Sequence, residues 1–312
     1  MKKIIIILST ALGALTFTSC EKENALTPNA NFIQNSDTTD MTVGGGSAGG
    51  GTSRLPAGFL ASTTPSNRAA LLEDFTGVRC GFCPDGHVKA ASAQQTLGPE
   101  NFIIMAVHAG SYAAPSTGWA NFTTPYGAAL VAQADVAGYP AGTINRLPAS
   151  SLGVSPQRNG SAMSRGSWET AGAAVNAMES PVNIGAKAII DASNNLEVKV
   201  DLYYTKDEVG ANNITVALLQ NGLVSNQSGG GQNYVQNHVL RDLITGQWGE
   251  VVTESTDSAD FVQKTFNYAV PADYNGTTTE GGGAVVINDL RVVVFVTRGQ
   301  TDVLTAIKVE VE

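Results

Sequence analysis

Two cysteines three positions apart carry the strongest chemical signature in the chain. Cys80 and Cys83 follow an apolar, strand-like run, and Pro84 opens an Ala-rich stretch that is typical of a helix. In a C-x-x-C pair at a helix start, free backbone N–H groups and the helix dipole lower the pKa of the first thiol. Arg79 places a positive charge beside it. We therefore predict Cys80 as the attacking thiol and Cys83 as the more buried, resolving thiol.

Two other interpretations of the pair stay open. A plain stabilising disulfide is one, although closing so small a loop contributes only about 2 kcal/mol by the loop-entropy model. Half of a zinc site is the other, and it would need two more ligands from His87, His108 and His238, which form no second ligand pair at zinc spacing. We expect no metal, and no cofactor beyond a redox-active Cys80–Cys83 disulfide.

The elements that must position the cysteines alternate between strands and helices. Buried-strand patterns and helix patterns follow one another along this part of the chain: strands at 69–75 and 101–108, helices at 84–97, 125–134 and 167–178. This alternation indicates an α/β domain, which we place at 65–180.

From residue 181 the apolar residues recur with a period of two. Strand patterns are found at 196–203, 214–219, 261–270, 290–297 and 307–312. About seven strands with no strong helix indicate an all-β, immunoglobulin-like sandwich domain over 181–312.

The pattern of the N-terminal residues is typical of an export signal. Lys2 and Lys3 precede an apolar run that is too short to span a bilayer comfortably, and the run ends at Cys20. This ending resembles the lipobox of bacterial lipoproteins, so we predict a lipoprotein signal peptide at 1–20 and lipidation of Cys20. An ordinary signal with an incidental cysteine is the alternative. Residues 21–64 are rich in Gly, Ser and Thr and predict a flexible tether outside any core.

Composition narrows the possible partners. The net charge is −9 and no Lys/Arg cluster is present, so binding to the phosphate backbone of nucleic acid is disfavoured. The sequence also lacks a Ser/His/Asp triad signature, a phosphate-binding loop and calcium-loop spacing. Hydrolase and nucleotide-binding functions are therefore set aside.

The segment 74–83 resembles the active-site segment of thioredoxins. The resemblance implies that Asp74 is a buried acid relaying protons to and from the resolving thiol, with Glu73 as a substitute if the register is off by one. It also implies that Pro140 is a cis-proline facing the disulfide, and that the Tyr139 backbone pairs with an extended substrate segment. Arg79 would contribute to substrate binding.

This segment departs from thioredoxins in three ways. Arg79 stands where they usually have Trp, and the residues between the cysteines are Gly81 and Phe82. Phe82 cannot stabilise a thiolate as a histidinium would, so strong oxidant behaviour is not expected. The long spacing from Cys83 to Pro140 implies an insertion at about 108–124.

The mature chain as a whole resembles the 28-kilodalton outer membrane protein (Omp28-related) family of Gram-negative lipoproteins. The matching segments are 80–84, 138–146, 234–241, 294–296 and 303–306. The resemblance implies a thioredoxin-like domain joined to a β-sandwich, held at the outer membrane on the periplasmic side or the cell surface.

Two functions from different classes follow. The first is a lipid-anchored thiol–disulfide oxidoreductase whose partners are cysteine-containing envelope proteins or a redox partner protein. The second is a surface binding or adhesion lipoprotein in which the thioredoxin fold is a scaffold and the disulfide is structural. For the second function, His238 with Arg241 marks one place to look, and Trp248, Tyr234 and Tyr203 could form a binding patch or belong to the core.

Overall fold

A computed structural model describes residues 55–275 and 283–312 of the chain. The predicted signal peptide at 1–20, the lipidation site Cys20 and most of the predicted tether at 21–64 lie outside these residues. In the described part, no helix is long and apolar enough to cross a membrane.

The first half of the described chain alternates strands and helices, as the sequence patterns predict. Its elements are β1 (Ala70–Thr76), α1 (Cys83–Leu97), β2 (Phe102–His108), α2 (Gly127–Ala134), β3 (Ala141–Ile144) and α3 (Trp168–Asn176). Helix α1 begins with a proline in its first turn, where the missing N–H costs nothing, and Asp85 complements the helix dipole there. It ends before Gly98, which has a φ of 94°.

The second half contains strands and, in the described residues, no α-helix. Its strands are β4 (Val182–Ile190), β5 (Asn195–Tyr204), β6 (Asn212–Gln220), β7 (Leu223–Gln227), β8 (Gly231–Gln236), β9 (Val239–Leu243), β10 (Glu250–Val251), β11 (Phe261–Ala269), β12 (Leu290–Arg298) and β13 (Asp302–Glu310). These ten strands exceed the roughly seven expected, because short strands such as β7, β8 and β10 carry little periodicity to detect.

The strands form one large mixed sheet and two smaller antiparallel ones, so the fold is rich in β structure. The large sheet has the order β13-β12-β6-β9-β2-β1-β3, with β10 paired to β6. Strands β1 and β2 are parallel and β3 is antiparallel to β1. The smaller sheets are β11-β5-β4 and the β7–β8 hairpin.

The large sheet takes strands from both sides of residue 180. Strand β2 pairs in parallel with β9 through Ala106 and Val239, and the described residues belong to one compact unit. The sequence suggested separate domains at 65–180 and 181–312, and the division at residue 180 stays a prediction. The connection matters for the site, because it brings the β7–β8 hairpin close to the first half of the chain.

Strand β1 is buried on both faces, which explains why its apolar residues point to both sides of the sheet, before and after the acids Glu73 and Asp74. On one face, Leu71 and Phe75 pack with α2 and with strands of the second half. On the other face, Ala70 and Leu72 pack with α1 and α3. Since side chains alternate along a strand, Asp74 belongs to the α1 face and Glu73 to the opposite face.

A further hydrophobic core lies within the second half of the chain. Residues of β5 such as Val198 and Leu202 share a cluster with Val216 and Val294 of the large sheet. Burial of these faces on one another is the main favourable contribution to the stability of this half.

The end of the predicted tether is packed, which corrects its boundary. The Leu60 backbone N–H donates a hydrogen bond of 2.6 Å to the Asp201 carboxylate, and the rings of Phe59 and Phe261 meet edge to face at 5.5 Å. Gly185 leaves no room for a Cβ beside Leu60. The Pro, Ser and Thr residues of this segment give no periodicity and so predict a tether, whereas its packing depends on partners far along the chain.

Candidate functional site

Cys80 and Cys83 form a disulfide at the junction of β1 and α1, with their Cα atoms 5.4 Å apart. Cys83 is the first residue of α1. Cys80 is 2% exposed and Cys83 is fully buried, whereas Phe82 between them is 70% exposed. The expected order of burial is therefore observed, but the difference is small, because the first cysteine is also covered.

The turn of the β7–β8 hairpin lies over the segment that carries Cys80. The Gln227 side-chain amide donates hydrogen bonds to the carbonyls of Gly77 and Cys80, at 3.2 and 2.9 Å. The Ser228 backbone N–H donates to the Val78 carbonyl at 2.8 Å. A Cβ at Gly229 would lie 2.2 Å from the carbonyl oxygen of Gly81, so only glycine fits there.

Sequence reasoning missed this cover. The glycines at 229–231 indicate a tight turn, but nothing in the local pattern indicates what the turn contacts. The hydrogen bonds to the cysteine segment connect residues about 150 positions apart.

Asp74 lies on β1 and faces α1, where the resemblance placed a buried acid. Its side chain is 1% exposed, and neither carboxylate oxygen has a hydrogen-bond partner among the described residues. Burial raises the pKa of this carboxyl to about 8, because removal from water disfavours the charged form. At neutral pH Asp74 is therefore mostly protonated and can act as a proton donor or, once ionised, as a base.

Glu73 does not share this environment. It forms a bidentate, buried ion pair with Arg146, with N–O distances of 2.9 and 2.8 Å. Arg146 also lies over the rings of Trp248 and Phe295. The alternative that Glu73 replaces Asp74 as the relay acid is therefore wrong, since strand alternation turns Glu73 away from α1.

His87 is the functional neighbour that the sequence analysis considered only as a metal ligand. It follows Cys83 by four residues on α1, so both lie on the same helix face. Its Nε2 atom lies 3.0 Å from the Thr76 hydroxyl and 3.7 Å from the Asp74 carboxylate. Its Nδ1 atom lies 2.7 Å from the Tyr234 hydroxyl. Burial lowers the pKa of His87 to about 4, so the ring is neutral at pH 7.

The other two histidines also lie near this point. His238 follows β8 and lines the same pocket as Asp74 and His87. Burial lowers its pKa to about 4. His108 ends β2 beside Thr76, packs edge to face on Phe122, and has a pKa lowered to about 3 by burial first and then by the neighbouring charges of His87 and Arg241. Among the described residues, no three His, Cys, Asp or Glu side chains are grouped to hold a metal.

Pro140 and Tyr139 lie on the other side of the start of α1. The Tyr139–Pro140 peptide bond is cis. Pro140 is buried and approaches the Cβ position of Gly86 to 3.0 Å, one turn into α1. The Tyr139 ring packs edge to face on Tyr112 at 5.7 Å. Pro140 therefore contacts the helix that carries Cys83.

Arg79 is directed to the loop between β2 and α2, within the expected insertion. Its guanidinium donates to the Ser111 carbonyl, and its backbone N–H donates to the Tyr112 carbonyl at 3.0 Å. Gly77 permits this loop to approach, because a Cβ there would lie 2.6 Å from the Tyr112 backbone. Arg79 therefore holds the loop beside Cys80.

The aromatic residues considered as a binding patch lie in three different surroundings. Trp248 packs on the core of the large sheet, Tyr234 bonds to His87 at the pocket, and Tyr203 lies on β5 in the three-stranded sheet. Only Tyr234 belongs to the candidate site. Arg241 lies over the rings of Phe122 and Tyr274 and donates to the Gly283 carbonyl.

Fold and site together define a β-rich protein with a buried disulfide at the start of helix α1. The sequence model of the family described as "Outer membrane protein Omp28" matches residues 128–312. That range is more than half of the chain, and the chain belongs to this family. Membership places the protein at the outer membrane. Cys80 and Cys83 precede the matched range, so the family match does not bear on their chemistry.

The chain is also similar to solved structures. The chain is similar to HBP35 of Porphyromonas gingivalis, with a TM-score of 0.59 and 17% identity, covering 79% of this chain and 76% of that one. At this identity the likeness shows a shared fold. A domain of the outer membrane lipoprotein Omp28 from Porphyromonas gingivalis matches at 21% identity and a TM-score of 0.30, covering 43% of this chain and 89% of that one. No curated protein sequence matches significantly.

Proposed function

We propose that the protein is a thiol–disulfide oxidoreductase of the outer membrane, with a thioredoxin-like site formed by Cys80, Cys83, Asp74 and Pro140. Its partners are cysteine-containing envelope proteins or a redox partner protein, and Cys20 carries its lipid anchor. The parallel β1 and β2 joined by α1 and the antiparallel β3 support the thioredoxin-like interpretation.

The observation that carries the proposal is that the Asp74 carboxyl is buried with no hydrogen-bond partner among the described residues. A buried carboxyl without a hydrogen-bond partner costs free energy, so a disulfide that serves only stability gives no reason to keep one behind it. Burial raises its pKa to about 8, close to the ordinary thiol value of about 8.5. Proton transfer between groups of matched pKa is efficient, and strongly shifted groups cluster at functional sites.

The proposed reaction needs one base and two thiols. In the reduced protein the Cys80 thiolate attacks a substrate disulfide, forms a mixed disulfide and releases one substrate thiolate. Asp74 then accepts the Cys83 proton. The Cys83 thiolate attacks Cys80 Sγ, the Cys80–Cys83 disulfide forms and the second substrate thiolate leaves. The substrate gains two electrons, and the released thiolates take protons from solvent.

The substrate must first gain access to Cys80, which is 2% exposed. The β7–β8 turn therefore has to move away from Gly81 before a protein disulfide can approach. A hairpin that pairs with no strand of another sheet can move without breaking a larger sheet.

Trapping of mixed disulfides tests the function. The full-length Cys83→Ser lipoprotein should accumulate mixed disulfides through Cys80 with envelope proteins, detected as thiol-sensitive bands on non-reducing gels. The matched Cys80→Ser variant should accumulate none. Absence of adducts in Cys83→Ser, with a Cys80 that stays unreactive toward small disulfides, would refute oxidoreductase function.

A second candidate is a binding lipoprotein with a structural disulfide. The observation that favours it is the burial of both sulfurs beneath the β7–β8 turn. In that case the Cys80→Ser/Cys83→Ser double variant keeps its binding function and loses only stability. The measured reduction potential separates the two candidates, since a very low value with slow exchange indicates a structural bond.

A further inference from the structure

A pocket of about 110 Å³ lies between α1, β2 and the end of β8, and the buried Asp74 is one of the residues that line it. His87, Tyr234 and His238 line it, together with apolar side chains of α1 and β2. Other lining residues, Ala91 and Val235 among them, are exposed and form its rim. The pocket therefore connects a fully buried acid with the surface.

A continuous set of polar contacts follows this pocket. His87 Nε2 lies 3.7 Å from Asp74 Oδ2, and His87 Nδ1 lies 2.7 Å from the Tyr234 hydroxyl. The first distance exceeds a direct hydrogen bond, and the nearer partner of Nε2 is the Thr76 hydroxyl at 3.0 Å. A proton that passes between Asp74 and His87 therefore needs one water between them. The pocket has room for that water, because about 10 to 15 Å³ is enough for one.

We infer that Asp74 exchanges its proton with solvent through His87 and the Tyr234 hydroxyl. Tyr234, from the second half of the chain, is then a positioning residue for the chemistry of the first half. The inference rests on the proposed oxidoreductase function, and it assigns to β8 a role beyond covering the disulfide.

The proton balance is simple. Protonated Asp74 gives its proton through the bridging water to His87 Nε2, while the proton on His87 Nδ1 passes to the Tyr234 oxygen and the Tyr234 hydroxyl proton leaves to solvent. Asp74 is then ionised and takes the next proton from Cys83. His87 returns to the starting tautomer when Nε2–H gives its proton to water in the pocket, Nδ1 takes the Tyr234 hydroxyl proton, and the Tyr234 oxygen takes a proton from solvent.

The groups that face this route fit a relay of neutral rings. His87 on α1, His238 after β8 and His108 at the end of β2 all have pKa values lowered by burial. Burial and the nearby Asp74 charge both raise the pKa of Tyr234. The positive charge of Arg241 also lowers the pKa of His108. No group on the route carries a resident positive charge at pH 7 that would hold the proton.

The test is the rate at which the fully reduced, full-length protein is oxidised by glutathione disulfide between pH 5 and 9. Tyr234→Phe keeps the ring and removes the hydroxyl. His87→Ala opens space at the ring position. Tyr203→Phe, on β5, is the matched control. We expect Tyr234→Phe and His87→Ala to oxidise about tenfold more slowly near pH 7, with an unchanged reduction potential, and added imidazole to restore His87→Ala.

The outcomes separate this inference from the function on which it rests. Unchanged or faster oxidation in both variants, in a protein whose wild type exchanges normally, overturns the relay alone, because a purely structural His87–Tyr234 bond would expose Cys80 when broken. A wild type that does not exchange overturns the proposed function and the relay together. Slower oxidation with imidazole rescue supports both.

Discussion

The Nδ1 atom of His87 lies 2.7 Å from the hydroxyl of Tyr234, 147 residues further along the chain. This bond joins helix α1 to strand β8 one turn after Cys83. The turn of the same hairpin contacts Gly81 and the Cys80 carbonyl. The hairpin is therefore fixed to the cysteine segment at two points, and residues of the second half complete the site.

Gly229 offers a test of the hairpin cover, with Gly231 as a control in the same hairpin. Both glycines have a positive φ, 77° at Gly229 and 96° at Gly231. A Cβ added at Gly229 would collide with Gly81, whereas a Cβ added at Gly231 would have no atom within 4 Å. Alanine at either position should cost about 1 to 2 kcal/mol for the left-handed backbone. Gly229→Ala should cost about 1 to 3 kcal/mol more for overpacking, measured by urea unfolding.

The same pair of variants tests access to the disulfide. Displacement of the turn should expose Cys80, so Gly229→Ala should be reduced by dithiothreitol several-fold faster than the wild type. Gly231→Ala should behave like the wild type. Equal reduction rates in all three proteins would show that the turn does not limit access.

Asp74→Asn tests the role of the buried acid. Without a base for Cys83, oxidation of the dithiol should slow by about 10² at pH 8, and the rise in rate near the Asp74 pKa of about 8 should disappear. Asp85→Asn is the matched control, because Asp85 lies in the first turn of α1 but is exposed. An Asp74→Asn variant with the wild-type pH profile would remove Asp74 from the mechanism.

The pH dependence of stability follows from four groups, of which Asp74 and His108 are buried and His87 and His238 are half-buried. Asp74 has a raised folded pKa, so its contribution to stability is full below its unfolded pKa of 3.8 and is lost as the pH rises to about 8. His87, His108 and His238 have lowered pKa values. Below pH 6.5 the three histidines bind protons in the unfolded chain but stay neutral in the folded protein, so stability falls as the pH falls.

These opposite slopes give a maximum near pH 6.5. Between pH 4 and 6.5 three histidines outweigh one carboxyl, and each net proton changes the free energy of unfolding by about 1.4 kcal/mol per pH unit. Above pH 6.5 only Asp74 contributes among the four, and stability declines. Urea unfolding from pH 5 to 9 measures this curve. Asp74→Asn should flatten the alkaline side, and a wild-type curve that rises steadily to pH 8 would contradict the assignment.

Glu73 and Arg146 form the buried ion pair on the opposite face of β1. Glu73→Gln leaves the Arg146 charge without its counter-ion and should cost about 3 kcal/mol, with no change in the pH profile of thiol exchange. Asp85→Asn removes a partly exposed pair with Arg165 and should cost less than about 1 kcal/mol. Comparable small losses in both variants would show that the Glu73–Arg146 pair is not a stability determinant.

Local patterns were sufficient to predict the elements around the disulfide. The helix expected over 84–97 is observed as Cys83–Leu97, because Pro84 at its start and Gly98 at its end are strong local signals. The apolar runs at 69–75, which contains two acids, and at 101–108 predict the strand before the cysteines and the next one, and they reflect burial on both faces. The position of Asp74 behind the cysteines was implied by the resemblance of 74–83 to the thioredoxin active-site segment.

The sequence by itself determined the periodic elements and the cysteine pair, since each depends on residues a few positions apart, whereas the acid was implied only by the resemblance to thioredoxins. Only the tertiary structure decided that Glu73 turns away from α1 while Asp74 faces it, and that a hairpin of the second half covers Cys80. Only the fold, too, places Tyr234 against His87. These outcomes depend on strand pairing between distant segments, such as β2 with β9, and on close packing, neither of which leaves a local pattern in the sequence.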